Sequence, residues 1–168
     1  MNPRVTITAV FDCSLERAFK SPMLCDVAKV HTGFAGVMPK VTHCRDDARW
    51  GQPGGSKQIF VERSLTQKGG WAFVDRVIER RENQYWKIEL SEFQFPMFGL
   101  SRFTGEWSTE EIASNKILIT YTYTLHSDIG LLYLMHWLFA QTMWRVYMRR
   151  VLENVRQLAM SAEPYLYA

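Results

Sequence analysis

Two ionisable side chains in this sequence stand where they can do chemistry. Asp75 shares strand parity with Phe73 and Val77, so if Phe73 looks inward Asp75 does too. A carboxyl among apolar side chains has its pKa raised by desolvation and becomes a usable acid, base or polar anchor. The rival face of the same stretch, Val74, Arg76 and Ile78, would turn Asp75 to solvent instead. His136 sits among Met135, Trp137 and Leu138, where an imidazole can orient a ligand carbonyl or move a proton. Its plainer role is that of a hydrogen-bonded core or interface histidine. His31, His43 and His126 fall near element ends and read as surface residues. No His-x-x-x-His spacing, paired acids or Cys/His cluster supports a metal, and no GxSxG elbow or convergent Ser, His and Asp set supports a nucleophile. Neither a metal nor a cofactor is expected, and any activity should be a proton transfer centred on Asp75 or His136.

Strands and helices must position these groups. Val5, Ile7, Ala9 and Phe11 alternate with Thr6, Thr8 and Val10, the period of a strand covered on one face. Asp12 and Ser14 offer N-caps to a short helix that should stop at Ser21-Pro22, and a second short helix fits 24–30. Six strands then fit at about 41–46, 56–65, 71–81, 85–92, 102–110 and 116–127, and their short connections imply an antiparallel meander. The last strand is the cleanest: Ile117, Ile119, Tyr121, Tyr123 and Leu125 share one face, and Thr120, Thr122, Thr124 and His126 the other. From Gly130 to about Ala162 the period is helical. Trp144, Met148, Val151, Val155 and Leu158 form an apolar stripe there, and the first half, 131–140, is apolar nearly all round. That half requires cover on more than one side.

The whole chain of 168 residues, 47% of them hydrophobic and 22% charged, reads as one globular domain spanning 1–168. Aromatics make up 14%, more bulk than a small solid core needs, which points to an internal cavity. The net charge of +3 comes without basic runs and argues against nucleic acid as a partner. Cys13, Cys25 and Cys44, odd in number and without CxxC spacing, fit small core thiols in a reducing, cytoplasmic setting. The N-terminal residues show no signal peptide pattern, and 131–140 is too short to span a bilayer.

One strand, two short helices, six antiparallel strands and a long final helix follow in an order that resembles the START-like, or birch-pollen-allergen-like, superfamily. Local marks are the turn Pro53-Gly54-Gly55-Ser56, the segment Asp75-Arg76-Val77 and the final helix. The Gly-rich turn has no GK[ST] ending and precedes a strand, so it reads as a tight connection whose glycines supply positive φ rather than as a phosphate loop. The resemblance implies an α+β helix-grip fold, a seven-stranded curved antiparallel sheet wrapped around the long C-terminal helix, with two short helices between strands one and two and an apolar pocket inside. It implies a hydrophobic small-molecule ligand, with a polyketide-cyclase or dehydratase-like enzyme as the alternative. Ligand contacts are then expected from Phe73, Asp75, Trp86, Ile88, Phe103, Trp107, Ile119, Tyr121, Tyr123, His136 and Trp144. Phe95, Met97 and Phe98 lie between strands in an apolar loop that needs a cover, and they fit a gate over the cavity mouth or a dimer contact. Transient membrane contact and a homodimer stay open as partners.

Overall fold

Strand β1 (Arg4–Asp12) buries Val5, Ile7 and Phe11 and turns Thr6 and Thr8 outward, as its alternation requires. The computed structural model describes residues 2–167. Ser14 caps α1 (Leu15–Leu24) by accepting the Arg17 N–H, and Asp26 caps α2 (Val27–Val30) through the Ala28 N–H. The expected stop at Ser21-Pro22 does not occur, because α1 runs through Pro22 to Leu24. Pro22 has no N–H to give the carbonyl of Ala18. That carbonyl accepts the indole N–H of Trp107 at 3.1 Å instead, so no buried acceptor is stranded. Trp86 donates likewise to Phe19 O at 2.7 Å, and Trp50 to Met23 O at 3.0 Å. Three indoles from the sheet side thus hold α1.

The meander consists of β2 (Val41–Asp46), β3 (Ser56–Val61), β4 (Gly70–Arg81), β5 (Tyr85–Ser91), β6 (Leu100–Ala113) and β7 (Lys116–Ser127). With β1 on β7 the sheet order is β1-β7-β6-β5-β4-β3-β2, antiparallel throughout. β3 ends at Val61, short of residue 65, because the Ser64 hydroxyl accepts the N–H groups of Thr66 and Gln67 and closes a turn. In the Gly-rich turn Gly54 has φ +86°, but Gly55 does not adopt positive φ. Gly55 is required by crowding, since a Cβ there would lie 2.2 Å from the Arg49 carbonyl oxygen. The turn is pinned to β4 by Gly54 N–H to Val77 O and Val77 N–H to Gly55 O.

The final helical stretch is not one regular helix. A 3₁₀ turn (Gly130–Leu132) leads into α3 (Tyr133–Phe139), a π turn (Ala140–Trp144) and α4 (Arg145–Met160). The wide turn re-phases the helix, so that Trp144 faces inward in line with Met148, Val151 and Val155. The curved sheet grips α4, giving the helix-grip fold in α+β form.

Candidate functional site

The inner face of the sheet and the helices do not close on one another. An apolar chamber of about 510 Å³ lies between them, within the range of small-molecule sites. A smaller chamber of about 60 Å³ lies deeper, sharing His31, Val41, Phe73, Leu90, Tyr121 and Tyr123 as walls. Gly105 helps keep the interior open. It sits on β6 between Ile88 of β5 and Tyr123 of β7, and a Cβ there would come within 2.9 Å of both. Its bare backbone lets the Tyr123 ring lie across the sheet. From there aromatic rings follow one another toward the loop before β6. Trp107, Tyr121, Tyr123, Trp144, Phe103 and Phe93 meet in sequence with centroids 5.0–5.4 Å apart, mostly edge to face.

Polar groups are few along this cavity, and several are unpartnered. Asp75 faces inward into the deeper chamber, is buried, and its Oδ1 has no hydrogen-bond partner. Burial pushes its carboxyl up to about 6, against the opposing pull of Lys57. Lys57, its register partner across β3 and β4, is buried in the same chamber wall. Burial lowers the pKa of this amine, while the charge of Asp75 opposes that shift. His31 Nδ1 lies 2.8 Å from the Tyr147 hydroxyl, and desolvation brings its imidazole down to about 4. Burial holds the hydroxyls of Tyr121, Tyr123 and Tyr147 well above their ordinary pKa.

Toward the opening, His136 donates its Nε2–H to the carbonyl oxygen of Phe98 at 2.8 Å, because a carbonyl can only accept. Its Nδ1 is buried without a partner, as is the indole N–H of Trp144. Both residues line the larger chamber. The bond to Phe98 ties the final helical stretch to the loop between β5 and β6. Phe95 and Met97 of that loop turn into the chamber, whereas Phe98 at its rim is 72% exposed. Leu65 and Met135 join this rim. Beyond it Ile129, Leu131, Leu134, Trp137 and Leu138 are exposed, Leu131 at 93%. No charged residue stands between Asp128 and Arg145. The cover that the sequence demands for this half of the helix is present only on its inner side.

The structure gathers the sequence candidates unequally. Asp75, Trp86, Ile88 and Trp107 line the deeper chamber; Phe103, Trp144, His136 and the loop residues line the larger one; Phe73, Tyr121 and Tyr123 line both. Ile119 is fully enclosed and lines neither, because its part of β7 pairs with Ala9 beside the solid end of the core. Asp75 and His136 occupy different chambers and form no acid–base pair. His31 is not the surface residue its position suggests: the turn after α2 carries it into the cavity wall against Tyr147. His126 is half-buried against Thr104 Oγ1 at 2.8 Å, and His43 is exposed, stacked on Phe60. Sequence reasoning also passed over Lys57, although it shares parity with Ile59 and Val61, the buried face of β3.

No family model matches the chain, and no curated protein matches it in sequence. Solved structures do match it in shape. Norcoclaurine synthase from Thalictrum flavum, in complex with dopamine and hydroxybenzaldehyde, superposes with a TM-score of 0.68 at 9% identity, over 98% of this chain and 90% of that one. A START superfamily protein from Mycobacterium smegmatis gives 0.66 at 16% identity, over 94% and 99%. The di-domain ARO/CYC protein StfQ of the steffimycin biosynthetic pathway gives 0.67 at 9% identity, over 96% of this chain and 52% of that one. The shared element is the START-like helix-grip fold.

Proposed function

We propose that this chain is a single-domain carrier of a hydrophobic small molecule, of lipid, polyketide or isoprenoid-like character. The observation that carries this reading is the cavity of about 510 Å³ with unpartnered polar atoms on His136 and Trp144 along its walls, and a further one on Asp75 in the deeper chamber beside it. Buried polar atoms without partners cost stability, and a ligand with a few polar atoms on an apolar body supplies what is missing. The similar shape of a norcoclaurine synthase in complex with dopamine and hydroxybenzaldehyde, and of an ARO/CYC protein from the steffimycin biosynthetic pathway, supports such a cargo. The ligand enters past Leu65, Phe98 and Met135, where the hydrogen bond from His136 to the Phe98 carbonyl ties the loop to the final helical stretch, beside backbone bonds from Gln94 to Ala72 and from Asp128 to Gly99.

The exposed apolar surface beside the mouth fits transient contact with a membrane, where such a ligand passes between bilayer and cavity without crossing water. A homodimer through the same face is the competing occupant. No helix among the described residues is long and apolar enough to cross a membrane. A cytoplasmic setting belongs to the same proposal, with Cys13, Cys25 and Cys44 free and burial raising each thiol.

A cyclase or dehydratase-like enzyme is the second reading, favoured by the raised pKa of Asp75, which leaves a carboxylic acid available near neutrality. Native mass spectrometry of the purified protein, followed by denaturation and identification of the released molecule, tests the carrier reading. A stoichiometric apolar ligand, unchanged after incubation, is expected. Conversion of that ligand by the wild type but not by Asp75→Asn, with binding retained, establishes the enzyme instead. A protein that neither retains a ligand nor binds an apolar dye refutes both.

A further inference from the structure

We propose that the deeper chamber is a covalent capture site in which the Lys57 amine forms a Schiff base with the carbonyl carbon of an apolar aldehyde or ketone, Asp75 acting as proton donor. This rests on the carrier reading of the cavity and names the chemical class of its ligand. Lys57 is 4% exposed and makes no ion pair among the described residues. Its Nζ rests 3.8 Å from the Trp50 ring centroid, a contact that steadies the amine without supplying a counter-ion. A buried ammonium without a bonded carboxylate is costly, so the enclosure raises the share of neutral amine, the nucleophilic form, against the Trp50 ring and the Asp75 charge, which favour the ammonium. Burial lowers its pKa accordingly.

Asp75 stands opposite Lys57 in the strand register, and directly paired side chains on one sheet face have Cβ atoms about 5 Å apart. Its Oδ1 is buried and unpartnered, and its residue lines the same chamber. No other carboxylate among the described residues combines these features. The chamber, at about 60 Å³, admits a carbonyl group and one water, while the larger apolar chamber houses the body of the ligand.

The step balances without any other reactant. The Nζ lone pair attacks the carbonyl carbon, a C–N bond forms, and the carbonyl oxygen takes the Asp75 proton to give a carbinolamine. The nitrogen then loses a proton to the Asp75 carboxylate. Asp75 returns that proton to the hydroxyl, which leaves as water as the C=N bond forms. The apolar walls of Ile59, Val151 and Val155 limit bulk water and so slow hydrolysis of the product.

Decanal with sodium cyanoborohydride at neutral pH is the probe, since reduction by hydride fixes the imine as a decyl-amine. Peptide mapping is expected to place one decyl group per chain on Lys57 before the surface lysines react, with labelling blocked by excess decane. Lys57→Met abolishes that adduct, and Asp75→Asn slows it by roughly 10²-fold, the scale of a single general acid. Lys57→Gln serves if Lys57→Met fails to fold, because its neutral amide keeps a polar head in the chamber wall and cannot form the imine. Binding of an environment-sensitive apolar dye is measured alongside. A dye displaced by decanal while Lys57 stays unlabelled, or is labelled no faster than the surface lysines, overturns the capture site and leaves the carrier standing. Absence of dye binding overturns the carrier reading and the capture site with it.

Discussion

Replacing Asp75 by Asn should stabilise the protein at neutral pH, and by an amount that depends on pH in a defined way. Burial moves the carboxyl from 3.8 to about 6 in the folded state. Between those values the native state holds a proton that the unfolded chain has released. Stability therefore falls as pH rises through this window, the reverse of the usual salt-bridged aspartate. At about 1.4 kcal/mol per tenfold change in proton affinity, ionising Asp75 costs the fold about 3 kcal/mol at pH 7.5. At pH 4 the native carboxyl is protonated and the unfolded one about half ionised, and the cost shrinks to less than about 1 kcal/mol. The attraction of Lys57 is already contained in the folded pKa of Asp75, so it needs no separate correction. Asn is nearly isosteric and never ionises. Its stability relative to wild type should rise by about 2 kcal/mol from pH 4 to pH 7.5, or roughly 4–8 °C in Tm for a chain of this size. Urea titrations of both proteins at the two pH values measure this difference, and any constant packing cost of the amide cancels. A difference that does not change with pH, or that favours the variant more in acid, would refute the placement of Asp75 as a desolvated acid. It would make Asp75 a solvated or firmly paired carboxylate.

Trp107→Phe should cost about 1–3 kcal/mol by leaving the Ala18 carbonyl without a donor, and the cost should shrink in a Pro22→Ala background, where residue 22 regains its N–H; denaturant melts of the four proteins form the cycle. Gly105→Ala should destabilise by about 1–3 kcal/mol and weaken apolar dye binding, because its Cβ drives the Tyr123 ring out of place; an unchanged melt and affinity would contradict the close approach. Leu131→Ser combined with Leu134→Ser should reduce co-sedimentation with phospholipid vesicles while leaving the melting temperature within about 2 °C, since both side chains are already exposed. Loss of a dimer in sedimentation velocity, with vesicle binding absent in the wild type, would assign that face to a second copy. His136→Phe should speed dye entry by releasing the Phe98 carbonyl, which stopped-flow fluorescence reads directly.

Periodicity is a local property, and where it governs, the sequence alone determines the outcome. The side chains of β7 alternate as Ile117, Ile119, Tyr121 and Tyr123 require, and Phe73, Asp75 and Val77 follow one another on the inner face of β4. Element order and short connections likewise dictate the antiparallel meander, because hairpin-linked neighbours pair with each other. The same alternation places Lys57 beside Ile59 and Val61, so its inward direction was legible in β3 even though a lysine invites the opposite assumption. Where two inward faces meet is another matter. That Lys57 opposes Asp75 depends on the register of β3 on β4, and that His31 reaches Tyr147 depends on how α2 docks against α4. The passage of α1 through Pro22 was decided by an indole 85 residues downstream, which supplies the donor that the local chain lacks. The π turn at Ala140–Trp144 carries no sequence mark; it rephases the helix and carries Trp144 into the cavity. Hydrophobic pattern tells each segment which side to bury. Whether the buried sides close into a solid core or stay apart around a chamber is set by sheet curvature, by one missing Cβ at Gly105 and by the phase of a distant helix, all of them properties of the assembled fold.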